Sequence, residues 1–270
     1  MAGKRSLKVA VIGPAGMTGS YTVVELLNRG HSVVGISRNP TAIGQHERYT
    51  PIPLDFDNSS ISEIAKTFEG VDVIVKYPPF IRRTIDDSAY GPHTGGAGAL
   101  QYMPFVETTR KIVLAVRRAK VPYFIMVGGC GSLYLPGQED DTTCDSRQWW
   151  LQYRRGIADS EAHVQYMEER LGHLGSSLRG YRNARLAVKN GKATEQDEKT
   201  IQEYEHNVLH GDYSTTFVKS CRTTYMFFDG NQSFRWSFLS PSALFRPGSI
   251  TPQPSNPLQS PLSVIKNTDE

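Results

Sequence analysis

Residues 8–20 read KVAVIGPAGMTGS. An apolar run, Val9 to Ile12, enters three glycines spaced three apart, and the amphipathic stretch YTVVELLNRG follows. Glycine placed three times where a strand becomes a helix leaves few folds open, because each position has a separate job in a dinucleotide site. Gly13 permits a tight turn off the strand. Gly16 lacks a Cβ, so the backbone can approach a pyrophosphate. Gly19 lets the helix pack close. Met17 and Thr18 fill the first helical turn, where unpaired N–H groups and a partial positive charge face an anion, and Thr18 adds a hydroxyl. The spacing is GxxGxxG rather than GxGxxG. A purely structural turn is the alternative, and the strand before and helix after favour the dinucleotide.

The rest of the first half repeats the rhythm. HSVVGIS, PIPLDF, VDVIVKYPP and VPYFIMVGG read as strands. SSISEIAKTFEG reads as a helix capped by Ser59 or Ser60, and Val106 to Ala119 as a long helix ending in Arg and Lys. Such alternation implies βαβ units and a parallel, doubly wound α/β sheet. Ligands then bind beyond the carboxyl ends of the strands. Those ends carry Ser37 and Arg38, then Asp55 and Phe56, then Lys76, Tyr77 and Pro78, and then Gly128 and Gly129. Asp55 and Phe56 are expected at the adenine edge, and Lys76, Tyr77 and Pro78 near ribose and nicotinamide. The second strand ends without Asp or Glu, the usual partners of a ribose 2′-hydroxyl. Arg38 suits a 2′-phosphate, so NADP(H) is expected over NAD(H). An ordinary surface arginine is the other reading.

Two stretches break the rhythm. Ile81–Tyr102 reads as a long loop punctuated by Gly and Pro, a candidate lid. Gly175–Asn207 reads as two polar helices around NGKAT, with Thr194 capping the second through TEQD. FRWSFLSPSALF returns to strand character, with Phe234, Trp236 and Phe238 on one face. Residues 1–248 are therefore expected as one domain with a helical elaboration at about 175–207. Residues 249–270, rich in Pro, Ser, Asn and Gln, are expected as a disordered tail.

Composition excludes other classes. Net charge is only +3, with no Lys/Arg block of five, so no nucleic-acid partner is expected. No run approaches the ~18 apolar residues of a membrane span, so no membrane is expected. Three widely spaced cysteines form no disulfide framework and no metal pattern. The seven histidines show no HxH or HExxH spacing, so no metal is expected. With no signal-peptide h-region, the expected location is cytoplasmic.

GPAGMTG, VDVIVKYPP, FIMVGGCGSLYLPG and FRWSFLSPSALFRPG, in that order, resemble the NAD(P)H-binding atypical short-chain dehydrogenases. The NmrA-like group, with the averufin-oxidase-type proteins of fungal secondary metabolism, is the branch they resemble. The resemblance runs from about Lys8 to Gly248. It implies an extended Rossmann domain with a small C-terminal substrate part, NADP(H) as cofactor, and reduction, oxidation or isomerisation of a small organic substrate. Two departures stand out. None of the 13 tyrosines has lysine four residues later, so the usual Tyr-x-x-x-Lys proton shuttle is absent. Family members also continue past the PG turn with further strand and helix. A pocket that is incomplete, or one closed by a partner subunit as in a homodimer, is the expectation here.

By position after the fifth strand, Ser132 and Tyr134 are the first acid/base candidates, and Tyr153, followed by Arg154 and Arg155, is the third. Arginine cannot release a proton at neutral pH, so either could only polarise or bind an anion. Packing is the competing reading for Trp149, Trp150 and Tyr153. Cys130 reads as core rather than nucleophile. His163 and Asp159 form a possible pair if one helix carries both. Three functions remain open: an NADP(H)-dependent oxidoreductase of an aromatic or polyketide-like carbonyl or enone, a cofactor-assisted isomerase or cyclase, and a non-enzymatic NADP(H) sensor.

Overall fold

The computed structural model describes residues 6–77, 96–138, 141–171, 173–211, 216–241 and 263–266. The chain divides into two compact units, where the sequence reading treats residues 1–248 as one domain. One unit comprises Met1–Ser132, Thr216–Ser242 and Arg246–Glu270, the other Leu133–Thr215 and Ala243–Phe245.

The first unit is a sheet with helices on both faces. Its strands are β1 (Lys8–Ile12), β2 (Ser32–Ser37), β3 (Tyr49–Pro53), β4 (Val73–Lys76), β5 (Tyr123–Val127), β6 (Arg235–Ser240) and β7 (Ser263–Lys266). The order is β3-β2-β1-β4-β5-β6-β7. The first six strands are parallel, and β7 pairs antiparallel with β6. This is the doubly wound, Rossmann-like sheet that the strand–helix alternation predicts. The chain reverses between β1 and β4, which opens a crevice at the carboxyl ends of both strands. β7 corrects the expectation of a wholly disordered tail: Val264 and Ile265 are apolar and β-branched, and they cover an edge that β6 would leave unpaired. The remainder of that tail lies outside the described residues.

Helices α1 (Met17–Asn28), α2 (Ile61–Thr67), α3 (Gly96–Ala119) and α8 (Thr216–Tyr225) flank the sheet. On one face Val9, Val11, Val33 and Val75 pack on Val23 and Leu27 of α1. On the other, Ile12, Ile36, Ile74, Phe124, Met126 and Phe238 pack on α2, α3 and α8. Phe234, Trp236 and Phe238 share that second face, as strand alternation requires. Ser60 caps α2, accepting from the Glu63 N–H while Glu63 accepts from the Ser60 N–H. α1 ends at Asn28 with Arg29 as its C-cap, and Gly30 takes φ +85° just beyond, a left-handed C′ position. α3 begins at Gly96, ten residues before the expected start, so Gly96–Tyr102 is helix rather than loop. Residues 81–95 of the expected lid lie outside the described residues.

The second unit is helical: α4 (Arg147–Asp159), α5 (Glu161–Leu171), α6 (His173–Lys189) and α7 (Glu195–His210). The elaboration therefore starts well before residue 175. α6, α7 and the Thr194–Asp197 capping box match the sequence reading closely. Tyr181 is fully buried and stacks on Tyr204 with ring centroids 4.0 Å apart. Around that pair runs a ladder of ion pairs, Arg155 to Glu205, Arg185 to Asp159, and Arg179 to both Glu161 and Glu168.

Candidate active site

The glycine turn sits at the carboxyl end of β1, between β2 and β4. The Gly13 N–H donates to the Ile36 carbonyl at 3.0 Å and so ties the turn to β2. Gly13 takes φ +80°, a left-handed conformation that side chains resist. Gly16 is the N-cap of α1, and no side chain caps that helix. A Cβ on Gly16 would lie 3.3 Å from the Gly13 carbonyl oxygen. A Cβ on Gly19 would lie 2.0 Å from the same oxygen, closer than any real Cβ contact. α1 thus rests directly on the turn, and only glycine at 19 allows it. Thr18 is half-buried in the first helical turn. Of Met17 the structure describes only the backbone, as the first residue of α1. An uncapped helix start behind a glycine cradle fits a pyrophosphate in shape and in charge.

Ser37 closes β2, and Arg38 follows it, exposed. Asp55 and Phe56 lie just past β3 rather than within it. Asp55 accepts from the Asn58 side chain and from the Asp57 N–H. These bonds hold its carboxyl below the usual aspartate range, and the Arg38 charge adds to the effect. Arg38 and Asp55 therefore sense one another at the β2 and β3 ends, where the adenosine half of a dinucleotide would lie. Phe56 leans into the core on the α2 side.

At the end of β4 the two neighbours part. Tyr77 packs on the α1 face, and its hydroxyl shares a hydrogen bond with Thr22 of α1. Burial raises its pKa, which keeps it a neutral phenol. Lys76 points the other way. Its side chain is buried toward α3, with Nζ 4.2 Å from the centre of the Phe105 ring. Burial pushes its pKa down to about 7. Pro78 lies outside the described residues.

Gly128 donates its N–H to the Leu239 carbonyl, and a Cβ there would strike the Phe238 ring at 2.1 Å. Gly129 has open space beside it. Ser132 ends the short 3₁₀ turn Cys130–Ser132 and is fully buried. Cys130 is half-buried in that turn. Ser132 falls in the sheet unit with the cofactor candidates. Tyr134 and Tyr153 fall in the helical unit. Tyr134 forms a β-bridge with Thr142. Tyr153 stacks on Trp149 at 4.7 Å and meets Trp150 edge-on at 5.7 Å. The three rings thus pack on one another. Arg155 bonds Glu205 through two N–H groups, and Arg154 lies over the Trp150 ring. The His163–Asp159 pair does not form on one helix: α4 stops at Asp159, Ser160 is its C-cap, and Asp159 accepts from Arg185. Among the described residues no cluster of His, Cys, Asp and Glu could hold a metal ion. Nor is any described helix long and apolar enough to cross a membrane.

Sequence reasoning passed over the burial of Lys76 and over Ser240 at the end of β6. A signal for the first was present. Ile74 faces the core, and strand alternation puts Lys76 on the same side.

Sheet order, glycine turn and helix start define a Rossmann-type nicotinamide-dinucleotide fold. The NAD(P)H-binding family matches residues 13–170, more than half of the chain, and the chain belongs to that family. No curated protein matches it. Among solved structures, a presumptive epimerase from Bacteroides thetaiotaomicron is 22% identical, with 91% of this chain and 75% of that protein covered and a TM-score of 0.52. A presumptive exported protein from Burkholderia pseudomallei is also 22% identical, covering 91% and 77%, with a TM-score of 0.47. A presumptive NADH-flavin reductase from Streptococcus pneumoniae is 16% identical, covering 87% and 72%, with a TM-score of 0.43. At 22% identity the likeness to the first of these speaks for the fold alone.

Proposed function

We propose that this chain is an NADP(H)-dependent oxidoreductase of the atypical, NmrA-like short-chain dehydrogenase type. Its substrate is a small aromatic or polyketide-like carbonyl or enone of specialised-metabolite biosynthesis, and it works in the cytoplasm. The observation that carries the cofactor preference is Arg38. It follows β2 directly, exposed, and no acid stands at that strand end to take a ribose 2′-hydroxyl. A guanidinium there would pair with a 2′-phosphate. Gly13, Gly16, Thr18 and Gly19 would hold the pyrophosphate, and Gly129, next to Gly128, leaves the backbone bare on the nicotinamide side. When bound, the dinucleotide supplies or accepts a hydride. Ser132 is the acid/base candidate within the same unit, with Tyr134 and Tyr153 as the other two.

A second reading draws on the missing Tyr-x-x-x-Lys pair and on the presumptive epimerase among the structural relatives. It is an isomerase or cyclase that uses its cofactor without net consumption. The test is a panel of aromatic and polyketide-like ketones and enones incubated with the protein and NADPH, with product and nicotinamide absorbance followed together. Stoichiometric NADPH loss with product supports the oxidoreductase. Product without NADPH loss supports the isomerase. NADPH binding with no turnover across the panel favours the sensor.

A further inference from the structure

Buried polar atoms nearly always find a partner, and those that do not call for a reason. In the sheet unit three such atoms stand at the carboxyl ends of neighbouring strands. They are Lys76 Nζ, Ser132 Oγ and Ser240 Oγ, each without a hydrogen-bond partner among the described residues. Lys76 ends β4, Ser132 lies just past β5, and Ser240 ends β6. These three strands are adjacent in the sheet. The residues are 3%, 0% and 2% exposed.

Register places two of them on one face. Lys76 pairs with Met126, and Met126 with Phe238. Ser240 is two residues past Phe238 and keeps its side of the sheet. That side faces α3 and α8, and the turn holding Ser132 packs on α8 and on β6. Phe105 and Phe238 give this corner an aromatic wall. Among the described residues no carboxylate bonds Lys76: Asp57 and Cys221 act on its charge only at a distance, and burial outweighs both. The set therefore offers an ammonium and two hydroxyls, rich in donors and without a carboxylate. It suits an oxygen acceptor and does not suit a cation.

We propose that Lys76, Ser132 and Ser240 form one oxygen-binding site, and that its ligand is a negatively charged oxygen, a carboxylate or phenolate, on an aromatic frame. This deepens the proposed function and rests on it, since it names the part of the substrate that the sheet unit grips. Lys76 then belongs to the substrate rather than to the dinucleotide. The site lies on the α3 and α8 face, whereas the glycine turn leads into α1 on the opposite face.

Sodium benzoate is the probe. It is titrated into the full chain and into Lys76→Met, Ser132→Ala and Ser240→Ala, with and without NADPH, and followed by calorimetry. The expected result is millimolar binding to the unaltered chain, weakened at least tenfold in Lys76→Met and severalfold in each serine variant. NADPH affinity should stay within about threefold throughout. Unchanged benzoate affinity in the variants would overturn the proposal, and so would no benzoate binding by the unaltered chain. A collapse of NADPH affinity in Lys76→Met would also overturn it, by returning Lys76 to the dinucleotide. If Lys76→Met does not fold, the two serine variants decide. If the unaltered chain fails to bind NADPH, the cofactor reading falls by itself, and the benzoate arm without dinucleotide still tests the oxygen site.

Discussion

Gly19 concentrates the structural argument into one missing methyl group. Its Cβ would lie 2.0 Å from the Gly13 carbonyl oxygen, so Gly19→Ala must push α1 off the turn. The expected cost is ~1–3 kcal/mol, read as a lower urea midpoint with little change in slope. NADPH affinity should fall with it. Arg38→Ala should do the reverse, sparing stability and weakening NADPH by ~1.5–3 kcal/mol, the worth of hydrogen bonds to a charged group, with NADH nearly unchanged. Equal weakening of both cofactors would remove Arg38 from the 2′-phosphate. Lys76 makes a pH prediction. Its folded pKa, about 7, lies below the ordinary lysine value of 10.5, so between those values the unfolded chain binds the extra proton. Stability contributed at this residue should therefore rise from pH 7 toward pH 10, and Lys76→Met should flatten that part of the melting-temperature profile. The glycines were legible in sequence because each answers a local backbone demand. The Thr22–Tyr77 bond was not, because it joins residues 55 apart whose meeting depends on how α1 lies across β4.

Elements were legible where their ends carry chemistry. Thr194, with Asp197 three residues on, announced α7, and the serine pair Ser59 and Ser60 announced α2, with Ser60 the cap. Thr194→Ala should cost ~1 kcal/mol of helical-unit stability, measured by thermal melting. Elements were misread where a break carries no Gly or Pro. Ser160 separates α4 from α5 with an extended backbone alone, and that break undoes the His163–Asp159 pair. α3 was begun late because its first turns hold Gly96, Gly98 and Pro104, which argue for loop, while the later apolar face holds the helix on the sheet. The ion ladder of the helical unit was half legible, since Arg179, Arg182 and Arg185 recur every three residues, though their acidic partners come from other helices. Glu205 sits at its centre, bonded by Arg155 and Tyr181. The Arg155 bonds hold its pKa below the ordinary 4.5, so its contribution is complete above that value and is lost as pH falls through the folded pKa. Acidification below about pH 4.5 should destabilise the helical unit, and Glu205→Gln should blunt that dependence.

At the scale of the molecule, a parallel doubly wound sheet follows from alternation and right-handed crossovers and was readable, whereas the order 3-2-1-4-5-6 was not, because another doubly wound order obeys the same rules. The partition into a sheet unit and a helical unit was less so, because the insertion begins within residues that sequence reasoning assigned to catalysis. Tyr134 and Tyr153 belong to it, while Ser132 stays with the sheet. β7 escaped notice because four strand residues are surrounded by Pro, Ser and Asn, and a strand so short is stabilised only by the β6 edge it covers. A ligand held at the glycine turn should stabilise the folded state by mass action, by ~2.7 kcal/mol at a hundredfold excess over its dissociation constant.

The most direct measurement is a fluorescence titration of the full chain with NADPH and with NADH. Saturable NADPH binding at least tenfold tighter than NADH, lost in Gly19→Ala and reduced to the NADH level in Arg38→Ala, is the predicted result. No saturable binding of either nucleotide would contradict the account at its centre, leaving a Rossmann turn that holds no dinucleotide.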